Sequence, residues 1–364
     1  MEGLGVVDRG FWRGKRVLVT GHTGFKGAWL ALWLEKLGAK VTGFSLGVPT
    51  KPSLFEALVP GSSWATIEGD IRSRPALKDA FAAAKPEIVF HLAAQSLVRL
   101  SYEEPLMTLE TNVIGTANVL DVARSSAGVR AVVNVTSDKC YENREWPYAY
   151  RENDPFGGRD PYSCSKGCAE LVTAAFRQSY FAGVGCGLAS VRAGNVIGGG
   201  DWSADRLVPD CMRAFSQGQQ VVVRNPAAVR PWQHVLEALR GYLILGQRLF
   251  AEPERYSAGY NFGPDAADSR PVSHIVESLC SGWGEGARFA VEQPSKESRP
   301  HEAHLLKLDS SFARAALGWH PVLELPEALS LTVAWYRQFY GGAAMRSISL
   351  DQLNSIEARE ARAQ

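Results

Sequence analysis

Through the first 195 residues, short β-branched and apolar runs alternate with longer stretches whose apolar residues recur at helical spacing. "KRVLVTG" reads as a strand bounded by Gly, and "GAWLALWLEKLG" as a helix with a Gly stop. "KVTGFSL" is the next strand, "ALKDAFAAAKP" a helix ended by Pro86, and "EIVFHLAA" another strand. A long helix, "EPLMTLETNVIGTANVLDVARSSA", precedes the strand "VRAVVNVTS". The helix "YSCSKGCAELVTAAFRQSYF" and the strand "CGLASVRAGNVIG" complete the series. Alternation of this length builds a parallel sheet with helices on both faces. The expected fold class is α/β: a Rossmann-like doubly wound parallel sheet with a smaller C-terminal substrate-binding region. Ligands on such a sheet sit at the carboxyl ends of its strands.

Beyond residue 195 the pattern loosens. "GGGDWSADRLVPD", "RNPAAVRPWQH" and "EQPSKESRPHEAH" are loops rich in Gly, Pro and charge. "VLEALRGYLILGQRLF" reads as a helix and "GYNFGP" as a strand, both returning to the main sheet. The expected division is a dinucleotide-binding domain over 12–194, joined by 230–263. A substrate region spans 195–229 and 264–340, and 341–364 form a polar tail with one weak helix. No repeat or low-complexity segment interrupts the chain.

Composition narrows the function. A net charge of +1 without a basic block argues against a nucleic-acid or anionic-membrane surface. No apolar run approaches a membrane span, and the opening residues lack a core of signal-peptide length. Six scattered cysteines read as free thiols of a reducing compartment, so a cytoplasmic location is expected. "RPHEAHLL" sets His301 and His304 three apart, whereas the zinc-protease helix needs i and i+4. Pro300 suggests a loop there, and no metal is expected.

"TGHTGFKG" joins the first strand to the first helix and places Gly21, Gly24 and Gly27 three apart. Small residues let the backbone approach a pyrophosphate, whose charge a helix N-terminus favours. The spacing differs from G-x-G-x-x-G by one residue, but the strand before and helix after point to a dinucleotide. His22 and Lys26 can both face phosphate, although surface exposure explains Lys26 equally well. The second strand ends in Ser45, without the carboxylate that would bind a ribose 2′-hydroxyl and without an Arg for a 2′-phosphate. Asp70, in "GDIR", can accept from the adenine amino group or can cap a helix.

"YSCSK" sets Tyr162 and Lys166 at i and i+4 on one helix face. An unperturbed phenol has a pKa near 10, and a neighbouring ammonium favours its ionised form. Such a Tyr can remove a hydroxyl proton as hydride leaves the same carbon. One strand earlier, "TSDKCY" ends an apolar run with Asp138 beside Lys139.

The order TGxxGxxG, HLAA, TSDKCY, YxxxK, RAGNV resembles the extended short-chain dehydrogenase/reductases that modify nucleotide sugars. The stretches "GHTGFKGAWLALWL", "HLAAQSLVRLSYEEP", "TSDKCYENREW", "SVRAGNVIGGGDW", "RNPAAVRPWQHVLE" and "RPHEAHLLKLD" are similar to the CDP-glucose 4,6-dehydratases within that family. The likeness spans about residues 12 to 335. The dTDP-glucose dehydratases carry Asp-Glu where Asp138-Lys139 stands, which favours the CDP-sugar branch.

The resemblance implies a bound NAD that oxidises the sugar at C4, with Tyr162 as base and Lys166 tuning it. It also implies Lys139 as base for the C5 proton, Asp138 as acid for the departing C6 hydroxyl, and Ser137 on the C4 oxygen. Gly21, His22, Thr23, Gly24, Phe25, Lys26, Gly27, Asp70, Ile71, Leu92, Ala93, Ala94 and Asn112 are the candidate cofactor contacts, with Tyr162 and Lys166. His91 and Asn112 are also candidates for positioning loops. Gln95, Asn195, Arg206, Arg230, Arg299 and His301 are the candidate substrate contacts, Arg230 and Arg299 for the diphosphate of CDP-glucose. An Arg of this kind can equally be a surface ion pair. The apolar excess on the helices "TLETNVIGTANVLDVA" and "CSKGCAELVTAAFRQSYF" implies a homodimer. A sister dehydratase or epimerase on another nucleotide sugar is the main rival; an epimerase has no use for an elimination pair. A non-catalytic dinucleotide sensor is the remote one.

Overall fold

The computed structural model describes residues 5–292 and 303–362. Six strands form in chain order: Arg16–Thr20 (β1), Lys40–Ser45 (β2), Ala65–Glu68 (β3), Ile88–His91 (β4), Ala131–Val135 (β5) and Gly187–Ala193 (β6). With Gly259–Phe262 they make a seven-stranded sheet, ordered Gly259–Phe262, β6, β5, β4, β1, β2, β3. Every neighbouring pair is parallel. The expected doubly wound sheet is present, and its order reverses between β1 and β4, where such sheets open a ligand crevice.

Helices cover both faces. Phe25–Lys36 buries every residue from Gly27 to Leu34. A helix apolar all round must be covered on all sides, and here the sheet and the C-terminal helix share that work. Val235–Ala251 packs beside it against β5 and β6. On the other face lie Arg74–Ala84, Gly115–Arg124 and Pro161–Phe176, whose Leu77, Leu120 and Ala169 are buried. Asp160 starts the last of these by accepting from the Ser163 N–H at 2.9 Å, with Pro161 in the first turn.

The second half of the chain adds a three-stranded sheet. Asn195–Ile197 runs parallel to Val229–His234, which pairs antiparallel with Ser269–Pro271. Gln220–Val223 and Arg288–Val291 add a separate parallel pair. The chain leaves the main sheet after Ala193, returns with Val235, leaves after Phe262, comes back with the helix Ser311–Leu317, leaves again with Leu325–Tyr340, and returns with the helix Met345–Arg362.

That last helix corrects the expectation of a polar tail. Leu353 and Ile356 are fully buried, worth roughly 1.5–3 kcal/mol each. Glu357 accepts from Trp33 Nε1 at 3.0 Å and pairs with Lys36. The buried Glu360 accepts from Arg240 at 3.0 Å and from the Val7 N–H at 3.2 Å. The segment is part of the cofactor half.

Candidate active site

A cleft of about 2230 Å³ opens at the carboxyl ends of the main strands. Single small-molecule pockets run roughly 300–1,000 Å³, so this one has room for two ligands end to end. One wall comes from the main sheet and the other from the substrate half.

The Gly turn is shaped by close approach. Gly21 has φ +76, and a Cβ there would stand 2.6 Å from the Ala93 nitrogen. A Cβ on Gly27 would stand 2.1 Å from the Gly21 oxygen. Gly24 is the helix N-cap and offers no side chain to the first-turn N–H groups. Those groups are left for an anion. The cradle therefore fits a dinucleotide pyrophosphate. Thr23, Phe25, Leu92, Ala93 and Ala94 line the same wall.

His22 is the first correction. Its ring turns away from the cleft, bonding Ser45 Oγ at 2.8 Å and Thr66 Oγ1 at 3.1 Å. Burial holds its pKa down to about 4, so it is a neutral tie between strands and no phosphate ligand. Lys26 is half-buried in the cleft wall. Burial first, then the charges of Arg206 and Lys166, push it down to about 8, while Asp138 and Asp201 pull it up. It stands among Asp138, Lys166, Asp201 and Arg206, not on the outer surface.

Asp70 and Ile71 line the cleft. The Asp70 carboxylate accepts from the Arg72 N–H at 2.8 Å and from its guanidinium at 2.8 and 2.6 Å. Ser73 caps the following helix, so the capping alternative for Asp70 does not hold.

Two further residues act through their loop. Asn112 accepts from the Gln95 N–H at 2.8 Å and donates to the Gln95 carbonyl at 2.9 Å and Ser165 Oγ at 2.8 Å. It stands behind the cleft wall and holds the 92–97 loop to the Tyr162 helix. Gln95 spends its own amide on Leu97 and Thr108. Its side chain secures the loop, and Gln95 also lines the cleft, as expected of a substrate contact. His91, bonded to Thr20 at 2.7 Å and Thr116 at 3.1 Å, is likewise a positioning residue; burial holds it near 3.

The Ser137–Lys139 turn and the helix of Tyr162 and Lys166 meet at the centre. Ser137 begins a short 3₁₀ turn, Asp138–Cys140, and accepts from the Lys139 N–H at 3.2 Å. Its hydroxyl also donates to Asp138 Oδ1 at 3.1 Å and interacts with the Tyr162 phenol. Asp138 is buried to 3% exposure, and its Oδ2 has no hydrogen-bond partner. Burial raises its pKa, while Lys139, Ser137, Arg230 and Lys26 pull it down. Burial pushes Tyr162 up to about 12, against the Ser137 hydroxyl and the Arg206 charge. Lys166 donates to the Val135 carbonyl at 3.4 Å. Burial lowers it to about 8, with Glu170 and Cys140 opposing. Arg206 is thus a named charge on the phenol, a relationship the sequence did not reveal.

On the facing wall, Arg206 pairs with Asp201 at 2.9 Å and donates to Ser96 Oγ at 3.2 Å. Both Arg206 and Arg230 line the cleft. Arg230 donates to the Val229 carbonyl at 2.9 Å and to the Ala303 carbonyl, and its charge reaches Asp138. Asn195 lines the cleft beside them. Sequence reasoning missed Arg99, Asp205 and Arg224, where Asp205 bridges both arginines at 2.9 and 3.6 Å across the mouth. Pairing between segments so far apart leaves no local pattern. Arg299 and His301 lie outside the described residues.

A family model described as GDP-mannose 4,6 dehydratase matches residues 18–332. A CDP-glucose 4,6-dehydratase of Salmonella typhimurium is 53% identical over 93% of this chain and 95% of its own. Among solved structures, DesIV, a dTDP-glucose 4,6-dehydratase from Streptomyces venezuelae with NAD and TYD bound, is 25% identical. It superposes with a TM-score of 0.74 over 90% of this chain and 98% of its own. MoeE5, solved with UDP-glucose and NAD, is 26% identical with a TM-score of 0.74 over 90% and 99% of the two chains.

Proposed function

This chain belongs to the GDP-mannose 4,6 dehydratase family, and from that membership we propose that it is a lyase converting CDP-D-glucose to CDP-4-keto-6-deoxy-D-glucose. The observation that carries the chemistry is Asp138: a buried carboxyl with one unpartnered oxygen, in a turn that also presents Lys139. An acid kept neutral by burial can protonate a departing hydroxyl. The choice of CDP-glucose rests on the 53% identical relative.

Gly21, Gly24, Gly27 and Asp70 would hold NAD, which when bound would supply a reversible hydride acceptor beside C4 and C6. Tyr162 takes the C4 hydroxyl proton, with Ser137 bonded to the same oxygen. The C4 ketone acidifies the neighbouring C–H, and Lys139 removes the C5 proton. Asp138 gives its proton to the C6 hydroxyl, which leaves as water, and Lys139 hands the proton it took back to C5 to complete the 6-deoxy product. Arg206 and Lys166 supply positive charge near the phenol and favour its ionised form. Arg230 takes the diphosphate.

Two copies pair through the helices flanking Tyr162. Leu106, Ile114 and Leu171 lie there at 73%, 55% and 58% exposure. Apolar side chains exposed together mark an interface. Among the described residues no helix is long and apolar enough to cross a membrane. All six cysteines are free, which suits the reducing cytoplasm.

The test is direct. Purified protein is given CDP-glucose, dTDP-glucose and UDP-glucose in parallel, with NAD, and products are weighed by mass spectrometry. The proposal expects loss of one water from CDP-glucose and a new 4-keto group. A C4 epimer of unchanged mass, or faster loss from another nucleotide sugar, overturns it.

A further inference from the structure

Behind the Ser137–Lys139 turn lies a chain of buried polar groups that reaches the cleft wall only at Thr136 and Tyr141. Its hub is Glu170, at 2% exposure on the helix that carries Tyr162 and Lys166. Arg192 of β6 clamps the Glu170 carboxylate through Nε and a terminal nitrogen, both at 2.8 Å. Ser190 donates to Glu170 Oε2 at 2.7 Å. Thr136 donates its hydroxyl to Glu170 Oε1. Every lone pair facing the protein is used.

The positions of these partners are informative. Thr136 is the residue just before Ser137. At the other end of the turn, Tyr141 follows Cys140, and its hydroxyl accepts from Arg192 at 2.6 Å. The same hydroxyl donates to Asn261 Oδ1 at 2.7 Å. One carboxylate therefore grips the turn before its first residue directly and after its last through Arg192. The helix meets the turn closely: a Cβ on Gly167 would stand 3.2 Å from the Cys140 carbonyl oxygen.

We infer that Glu170 is a positioning residue that registers the elimination turn, with Asp138 and Lys139, against the oxidation helix, with Tyr162 and Lys166. This rests on the division of roles proposed above. The sugar presents C4, C5 and C6 as one rigid string, so its two sets of catalytic groups must keep a fixed separation. A displacement of about 1 Å costs on the order of a hundredfold in rate. For stability alone, apolar residues of equal size serve as well as a buried ion pair or better. The pair's value lies in direction: its bonds to Thr136 and Tyr141 fix the angle of the turn. Glu170 also supports the positive charge on Lys166, one helical turn away.

The test separates registry from folding. Thr136→Val with Tyr141→Phe removes both grips and leaves the Glu170–Arg192 pair in place. In a single turnover of the NAD-loaded enzyme with CDP-glucose, C4 oxidation should stay within about threefold of wild type. Loss of water should slow at least about tenfold, so the 4-keto, 6-hydroxy sugar accumulates. Glu170→Gln should shift the same partition further. Unchanged partition in the double variant overturns the inference. Equal slowing of both steps, tracking a lower melting temperature, also overturns it, since that marks a merely structural role. If wild-type protein makes no 4-keto product from any nucleotide sugar, the proposed function has failed instead.

Discussion

Lys139 is the strongest charge opposing the raised pKa of Asp138, the residue beside it in the chain. Its charge pulls the carboxyl down, yet burial still wins. Removing either should therefore have separable effects. Lys139→Ala should still oxidise C4, while exchange of the C5 hydrogen with heavy water nearly vanishes. Asp138→Asn should keep more of that exchange than of water loss. Parallel losses of oxidation and exchange in both variants would mean that the turn has only been disordered.

Asp138 also makes stability depend on pH. Its folded pKa lies above the ordinary carboxyl value near 3.9. Below about pH 4 both states hold the proton and the group costs nothing. As pH climbs through the raised pKa, the unfolded chain ionises freely and the folded one resists, so stability falls. Asp138→Asn escapes that loss. Its melting temperature should match wild type at low pH and exceed it by roughly 2–4 °C at pH 8. A pH-independent difference would contradict the assignment.

Tyr162→Phe removes the phenolic oxygen while keeping the ring. Turnover should fall at least about a hundredfold, the lower range for loss of a general base. Substrate affinity, measured by calorimetry with CDP-glucose, should change little. Near-normal turnover would reject Tyr162 as the C4 base.

Gly27→Ala should cost cofactor before it costs fold. The added carbon would sit 2.1 Å from the Gly21 oxygen, so backbone must move. The moved turn is the proposed pyrophosphate cradle. Protein freed of excess ligand by gel filtration should retain several times less NAD than wild type. Full retention would mean that the turn is not the binding site.

Leu171→Glu places a charge on the proposed face between copies. At micromolar protein, light scattering should read a dimer mass for wild type and a monomer for the variant. Equal masses would place the interface elsewhere.

The buried strands were legible because β1, β4 and β5 are short, β-branched and covered on both faces, which leaves nearly unbroken apolar runs. Edge strand β3 was less so: its residues are largely exposed, and only the "GDIR" that follows suggested a strand end. Tyr162, Lys166 and the Gly turn were legible because their chemistry needs a local spacing. His22 shares that local pattern, but its direction is set by Ser45 and Thr66, on other strands. The C-terminal helix is polar overall, so its periodicity hid the buried contacts of Leu353, Ile356 and Glu360.

The path of the chain between the halves has a mechanical consequence. Among the described residues it passes from one half to the other six times: after Ala193, at Val235, after Phe262, before Ser311, before Leu325 and before Met345. A hinge works when a few residues absorb the rotation. Here any swing of one half must bend six separate tethers together. The two halves therefore move as a stiff frame, and admission of a sugar nucleotide falls to side chains at the rim, where Asp205 holds Arg99 and Arg224.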